Sequence, residues 1–327
     1  MKQQINRAIE FLLARGNLPI LFWLKKDILE ISYDREQKNL RKYAHRVRLF
    51  ETQRPDGSWC ERVLEKSGIH SRAWIIIDTL KNLFYLYDYG CTLKDEGVVK
   101  AINFLFSIQT KEGDFRGAFF NEYVPTFHAL ALEILCRFGL EKDKRVQRGF
   151  RWLIEHRQKD GGWVIPYQII NNRRNEKPFR WPTPTATEPI PFDLSLPSSA
   201  RTTGITLRPF VESVSWKNKK VVRQSAEWLA NQLFEADCYD NQPGRDSWTE
   251  LHYPFWTTDI LSVLDLLSRL NFSTEHPKIS QALDCLLKKQ NPQGFWECSN
   301  QGASFEDHLW VTLSVLRIFK RFSLVKT

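Results

Sequence analysis

Three carboxylic acids stand where the sequence is otherwise apolar: Asp78 in AWIIIDTL, Glu133 in ALALEILC and Asp259 in FWTTDILSVL. An acid buried among such residues loses the solvation of its charged form, so its pKa rises and it keeps a proton to donate. Asp259 is the first choice as proton donor or polar anchor, because it follows Thr257 and Thr258 near the start of its segment, where water could return a proton. Asp78 is the second. A helix start works against an acid role, since the helix dipole favours the carboxylate. The structural alternative for each is a buried carboxylate bonded to a neighbouring hydroxyl or to a helix start. Near the starts of the same apolar segments lie Trp74, Phe127, Trp256 and Trp310. Their ring faces either stabilise a cation or polyene or simply fill the core.

The elements that must position these groups repeat along the chain. QRPDGSW at 53–59, QTKEGDF at 109–115, QKDGGW at 158–163 and QNPQGFW at 290–296 are four copies of one short device. Each follows a stretch with apolar residues at three- and four-residue spacing, which predicts an amphipathic outer helix. Each precedes a nearly all-apolar stretch, which predicts a buried inner helix. A fourth outer helix, VVRQSAEWLANQLF, retains Gln232 without the Gly–aromatic pair. In the device, Gly permits the turn at the helix end, the aromatic residue covers the neighbouring pair, and Gln53, Gln109 and Gln290 bond to nearby backbone. In the third copy the spacing is one residue short, so Arg157 or Gln158 takes the glutamine's place. The expected fold is all-α, an α/α toroid of five to six outer–inner pairs around a central cavity. Residues 1–35 are read as N-terminal helices packing on a single toroid domain at 36–327.

Residues 164–198 interrupt the period with seven of the fifteen prolines. A long ordered loop of this kind is read either as a rim or lid, with Arg173, Arg174 and Arg180 offered to an anionic group, or as a surface excursion.

The chain of 327 residues is 42% hydrophobic and 26% charged, which excludes disorder and a small disulfide scaffold. Its net charge of +9 is spread along the chain, and no nucleic-acid recognition motif accompanies it. The charge fits a solvated basic surface, an anionic lipid surface or a diphosphate-like substrate. Six cysteines without a CxxC pair, and an N-terminus without a secretory h-region, predict reduced thiols in the cytoplasm. The apolar run from Leu18 to Leu24 is far below the ~20 residues that a membrane span needs, so any membrane contact would be peripheral.

The repeated Q-x-x-x-G-x-W/F device resembles the QW repeats of the squalene–hopene cyclase and terpene cyclase superfamily and of its prenyltransferase β-subunit relatives. The resemblance implies an α/α toroid acting on or binding an isoprenoid or similar lipid, by acid-initiated cyclisation in the cyclase branch. That branch uses an Asp-x-Asp-Asp string, which is absent. The nearest approach is DCYD at 237–240, making Asp237 and Asp240 candidate acids. The prenyltransferase branch holds a catalytic zinc and is accompanied by an α-subunit. Its ligands correspond here to Glu250, His252 and His308, three ligands with one open position. Three readings follow: a cyclase-like enzyme without cofactor, a toroid that binds a lipid or protein without catalysis, and a zinc-dependent prenyltransferase-like enzyme.

Overall fold

In the computed structural model, residues 2–60, 68–168, 183, 186–239, 242 and 244–324 are described, with the backbone alone at 68–71. The chain opens with α1 (Lys2–Arg15), α2 (Leu18–Trp23), a π-helical turn at Leu24–Leu29, and α3 (Asp34–Leu40). There follow α4 (Ala44–Glu51), α5 (Gly68–Asp88), α6 (Glu96–Ser107), α7 (Pro125–Arg137) and α8 (Lys144–Glu155). Next come α9 (Ala200–Thr206), α10 (Arg208–Glu212), α11 (Val214–Lys217) and α12 (Lys220–Gln232). The last helices are α13 (Ile260–Arg269), α14 (Pro277–Lys288) and α15 (Phe305–Arg321). The one named strand among the described residues is the short β1, Ala118–Asn121.

The two expected kinds of helix are both present. In α6 the buried residues are Val98, Ala101, Ile102 and Leu105, and in α14 they are Ile279, Ala282, Leu283 and Leu286, one stripe at i, i+3, i+4 and i+7. In α7 every residue from His128 to Cys136 is buried, and in α13 every residue from Ile260 to Ser268. Helices of the second kind are surrounded by their neighbours, which explains why their sequences carry no polar face.

Contacts divide the chain into two units. One comprises Met1–Tyr43, Ala226–Ala236 and Pro243–Thr327, and the other Ala44–Ser225 and Asp237–Gln242. The N-terminal helices therefore share a unit with α13, α14 and α15.

The repeated device is built the same way in both units. Gly57, Gly113, Gly161 and Gly294 all have φ between 87° and 117°, the left-handed region that ends the preceding helix. A side chain at Gly57 would lie 2.4 Å from the backbone of Lys100, so the next amphipathic helix is packed against that turn. The indoles of Trp59, Trp163 and Trp296 donate to the carbonyls of Leu49, Leu153 and Leu286 at 2.7, 2.7 and 2.6 Å. Their backbone N–H groups donate to Thr79, Thr203 and Thr312 on the buried helices at 2.9–3.0 Å, while that of Phe115 donates to His128 Nδ1 at 3.1 Å.

The side chains of Gln53, Gln109 and Gln290 each donate twice, to the carbonyl of their own glycine and to the start of a following amphipathic helix. The second acceptors are the carbonyls of Gly97, Arg145 and Gln4. Arg157 fills the third position, its Nε reaching Gly161 O at 2.9 Å and Ser225 Oγ at 2.8 Å. Gln158 instead donates to the carbonyls of Asp193 and Leu196. Trp248, with no glycine device before it, also buries its indole and donates to Glu235 O at 2.7 Å.

Candidate functional site

Six of the residues nominated from sequence collect in one unit, around the N-terminal ends of α13 and α15: Glu250, His252, Trp256, Asp259, His308 and Trp310. Asp259 is the N-cap of α13. Its Oδ1 accepts from Ser262 N at 2.8 Å, and the Ser262 hydroxyl accepts from Asp259 N at 3.0 Å, a reciprocal capping box. Asp259 Oδ2 accepts from the backbone N of His252 at 2.9 Å and lies 3.0 Å from His252 Nδ1. The carboxyl is fully buried. The carboxyl thus holds the backbone N–H groups of Ser262 and His252, and a proton carried on His252 Nδ1 would bond to Oδ2. Nε2 of the same ring lies 3.8 Å from Glu250 Oε2.

An aromatic wall flanks this pair. Tyr253 stacks on Trp310 with centroids 5.3 Å apart and planes 6° from parallel, and Phe255 meets Tyr253 edge-on at 5.5 Å. The Trp310 indole donates to Glu306 Oε1 at 3.3 Å, and the Tyr43 hydroxyl donates to Glu306 Oε2 at 3.4 Å. Burial, with Glu306 beside it, pushes the Tyr43 phenol far above its ordinary pKa, so it remains a donor. Trp256 is half-buried in the same segment.

The zinc set does not assemble. Among the described residues, no group of three His, Cys, Asp or Glu side chains could hold a metal ion. His308 Nδ1 accepts from Cys298 N at 2.9 Å, so the neutral ring carries its proton on Nε2 and has no second lone pair to give. Burial also raises the pKa of the neighbouring Cys298 thiol, which favours the protonated form.

The other nominated residues lie in the second unit. Asp78 is buried in α5, and Trp74 and Phe127 are half-buried on α5 and α7. Asp237 sits at the head of α9, where its Oδ2 accepts from Ser199 Oγ at 2.7 Å and from Arg201 N at 3.2 Å. Asp240, Arg173, Arg174 and Arg180 lie outside the described residues.

Glu133 is the centre of a buried ion cluster. Arg208 grips it with Nε and Nη2 at 3.0 and 2.8 Å, and Arg137 adds Nη2 at 2.6 Å while its Nε reaches Glu212. Burial alone would lower the Arg137 pKa, but Glu133 and Glu212 outweigh it and raise it. Sequence reasoning also passed over His128, wholly buried between Phe115 N and Gly149 O. Its place in the register of Thr79, Thr203 and Thr312 was the available signal.

No known family profile and no curated protein matches the chain. Among solved structures, it aligns with a polysaccharide lyase, BACCELL_00875, over 99% of both chains at 9% identity and a TM-score of 0.51. It also aligns with the type II terpene cyclase MstE from Scytonema, over 99% of this chain and 98% of that one, at 13% identity and a TM-score of 0.49. A protein from Actinoplanes aligns over 98% of this chain and 99% of that one, at 14% identity and a TM-score of 0.45. At such identities a likeness speaks for fold and not for chemistry. The likeness to the lyase, together with the helical architecture, assigns the chain to the α/α-toroid class of fold.

Proposed function

We propose that this chain binds an isoprenoid or a chemically comparable lipid, and that the Asp259–His252 pair handles the polar or reacting end of that ligand. The observation that carries the reading is the 3.0 Å contact between Asp259 Oδ2 and His252 Nδ1 at the head of a buried helix, beside the Tyr253–Trp310 stack. The stack offers flat apolar faces to a polyene and a negative quadrupole to any cation formed on it. The pair offers a proton acceptor whose ring is held in place by a buried carboxyl.

Of the two roles open to Asp259, we assign it the anchor. It accepts from the backbone of Ser262 and of His252 and lies against the His252 ring, the arrangement of a group that holds its neighbours in place. In this reading the His252 ring accepts the proton of a ligand hydroxyl hydrogen-bonded to it. Glu250 stands next to it to stabilise the imidazolium so formed.

The test is to incubate the full chain with squalene, oxidosqualene, prenyl alcohols and prenyl diphosphates, following both binding and product. Wild type, His252→Ala, Asp259→Asn and chelator-treated protein are compared side by side. Isoprenoid binding that survives both substitutions, with turnover lost in both and indifferent to chelation, is the expected result. Turnover by the His252→Ala variant at the wild-type rate would remove the proton-transfer assignment, and failure of every isoprenoid to bind would end the reading.

A further inference from the structure

At the opposite end of α13 from Asp259, ten helical residues and so about 15 Å away, the same unit carries an open-mouthed cavity of about 580 Å³. It is lined by Lys26, Arg269, Arg317, Lys320 and Arg321, with Asp27 and Glu30. The buried carboxylate of Asp265 lies beneath Arg269 and Arg321, at 3.2 and 2.7 Å. Among the described residues, five cations therefore meet three carboxylates. The excess is not spread over long, solvated side chains, because the arginines on the lining are largely covered.

The donors are only partly used. Arg317 turns Nε and Nη2 to Asp27 Oδ2 at 2.8 and 2.7 Å, and its Nη1 has no acceptor among the described residues. Arg321 commits Nη1 alone, to Asp265 Oδ1 and Ser268 Oγ, which leaves Nε and Nη2. Lys320 is anchored by Glu30 and the carbonyls of Asp27 and Ile28. Lys26 lies over the rings of Trp23 and Phe22 at 4.6 and 5.5 Å and forms no ion pair among the described residues. Crowding has a cost: burial lowers the Arg321 pKa, and Arg269 and Arg317 lower it further against the pull of Asp265. Cations held this close without enough carboxylate are stabilised by a bound anion.

We propose that this pocket binds a phosphate-bearing anion through Arg317, Arg321 and Lys26. Guanidinium N–H pairs match tetrahedral oxyanions, and a doubly charged group matches the excess of positive charge better than a single carboxylate does. The volume accommodates a diphosphate as well as a single phosphate. A free diphosphate and a phospholipid headgroup present the same chemistry, so the experiment separates them. The inference stands apart from the assignment of His252 and does not depend on it.

Calorimetric titration of the full chain with pyrophosphate, against sodium chloride of equal ionic strength, is the first arm. Flotation with phosphatidylcholine vesicles, with and without phosphatidylglycerol, is the second. Lys26→Glu changes an exposed side chain, and Arg321→Lys keeps the charge over Asp265 while removing the fork; thermal melting verifies that both variants fold. The expected result is binding in at least one arm, weakened about tenfold or more by each substitution, as for loss of a charge-assisted hydrogen bond. Binding to pyrophosphate alone identifies a soluble ligand, and binding to anionic vesicles alone identifies a headgroup. Absence of binding in both arms, or binding unchanged in both variants, overturns the proposal.

Discussion

The side chain of Gln290 donates a hydrogen bond of 2.8 Å to the main-chain carbonyl of Gln4, 286 positions earlier. Gln4 returns the gesture from its own side chain, to Leu287 O at 3.0 Å. Elsewhere the same glutamine position grips the amphipathic helix that comes next along the chain, Gly97 after Gln53 and Arg145 after Gln109. By that rule α1 stands as the helix following α14, and α2 with the π-helical turn is its buried companion.

Removing the aromatic member of a staple should be expensive. Trp163→Ala and Trp296→Ala each empty a fully buried site and should cost about 3–5 kcal/mol. Gln290→Ala leaves two carbonyls without their donor and should cost about 1–3 kcal/mol. Urea unfolding of the three variants checks the order, and equal midpoints for all three would contradict it.

Stability should fall in acid because of His128. Burial holds its pKa down at about 4, against 6.5 for an ordinary histidine. Above pH 6.5 the ring is neutral in both states and its contribution is fully present. Between 6.5 and about 4 the unfolded chain takes up a proton that the folded protein refuses, so stability is progressively lost, by about 2 kcal/mol at pH 5. His128→Gln keeps an acceptor for Phe115 N and removes the titration. Its unfolding free energy should change less than that of wild type between pH 7 and pH 5.

The Glu133 cluster predicts an asymmetry between breaking and replacing. Glu133→Gln leaves two arginines in the core with a neutral partner and should destabilise by about 3–5 kcal/mol. Exchanging Glu133 for Leu together with Arg208 for Met removes both charges and should recover much of that loss. Thermal melting of the single and double variants gives the comparison.

Asp259 has two duties that substitution can separate. Asp259→Ala removes the cap of α13 and should cost about 1 kcal/mol or more. Asp259→Asn keeps a capping oxygen for Ser262 N but no longer fixes the His252 proton on Nδ1. Nitrogen-15 chemical shifts of the His252 ring should report a single tautomer in wild type and a mixture in Asp259→Asn. A wild-type spectrum already showing a mixture would count against the pairing.

Much of the architecture was legible because the staples are local. Gln53 and Gly57, or Trp59 and Leu49, are joined across four and ten residues, within reach of a spacing rule. Arg157 was left open against Gln158 because only geometry shows that its Nε, four residues before Gly161, reaches where a glutamine amide would. Contacts between distant segments were not legible. Asp237 meets Ser199 across 38 positions, and Arg208 meets Glu133 across 75, so neither pairing is within reach of a spacing rule. The zinc set failed for a related reason: spacing could align Glu250, His252 and His308 but could not show His308 turned to the backbone of Cys298.

The four bonds from Trp59, Phe115, Trp163 and Trp296 to the buried helices have a consequence for exchange with solvent. Each of these amide protons lies on a side-chain acceptor of its own helix pair, and each can meet deuterium only when that pair loosens. Protection factors at these positions would rank the pairs by opening free energy. In an architecture of repeated pairs that ranking need not be uniform, and the weakest pair marks where the molecule begins to breathe.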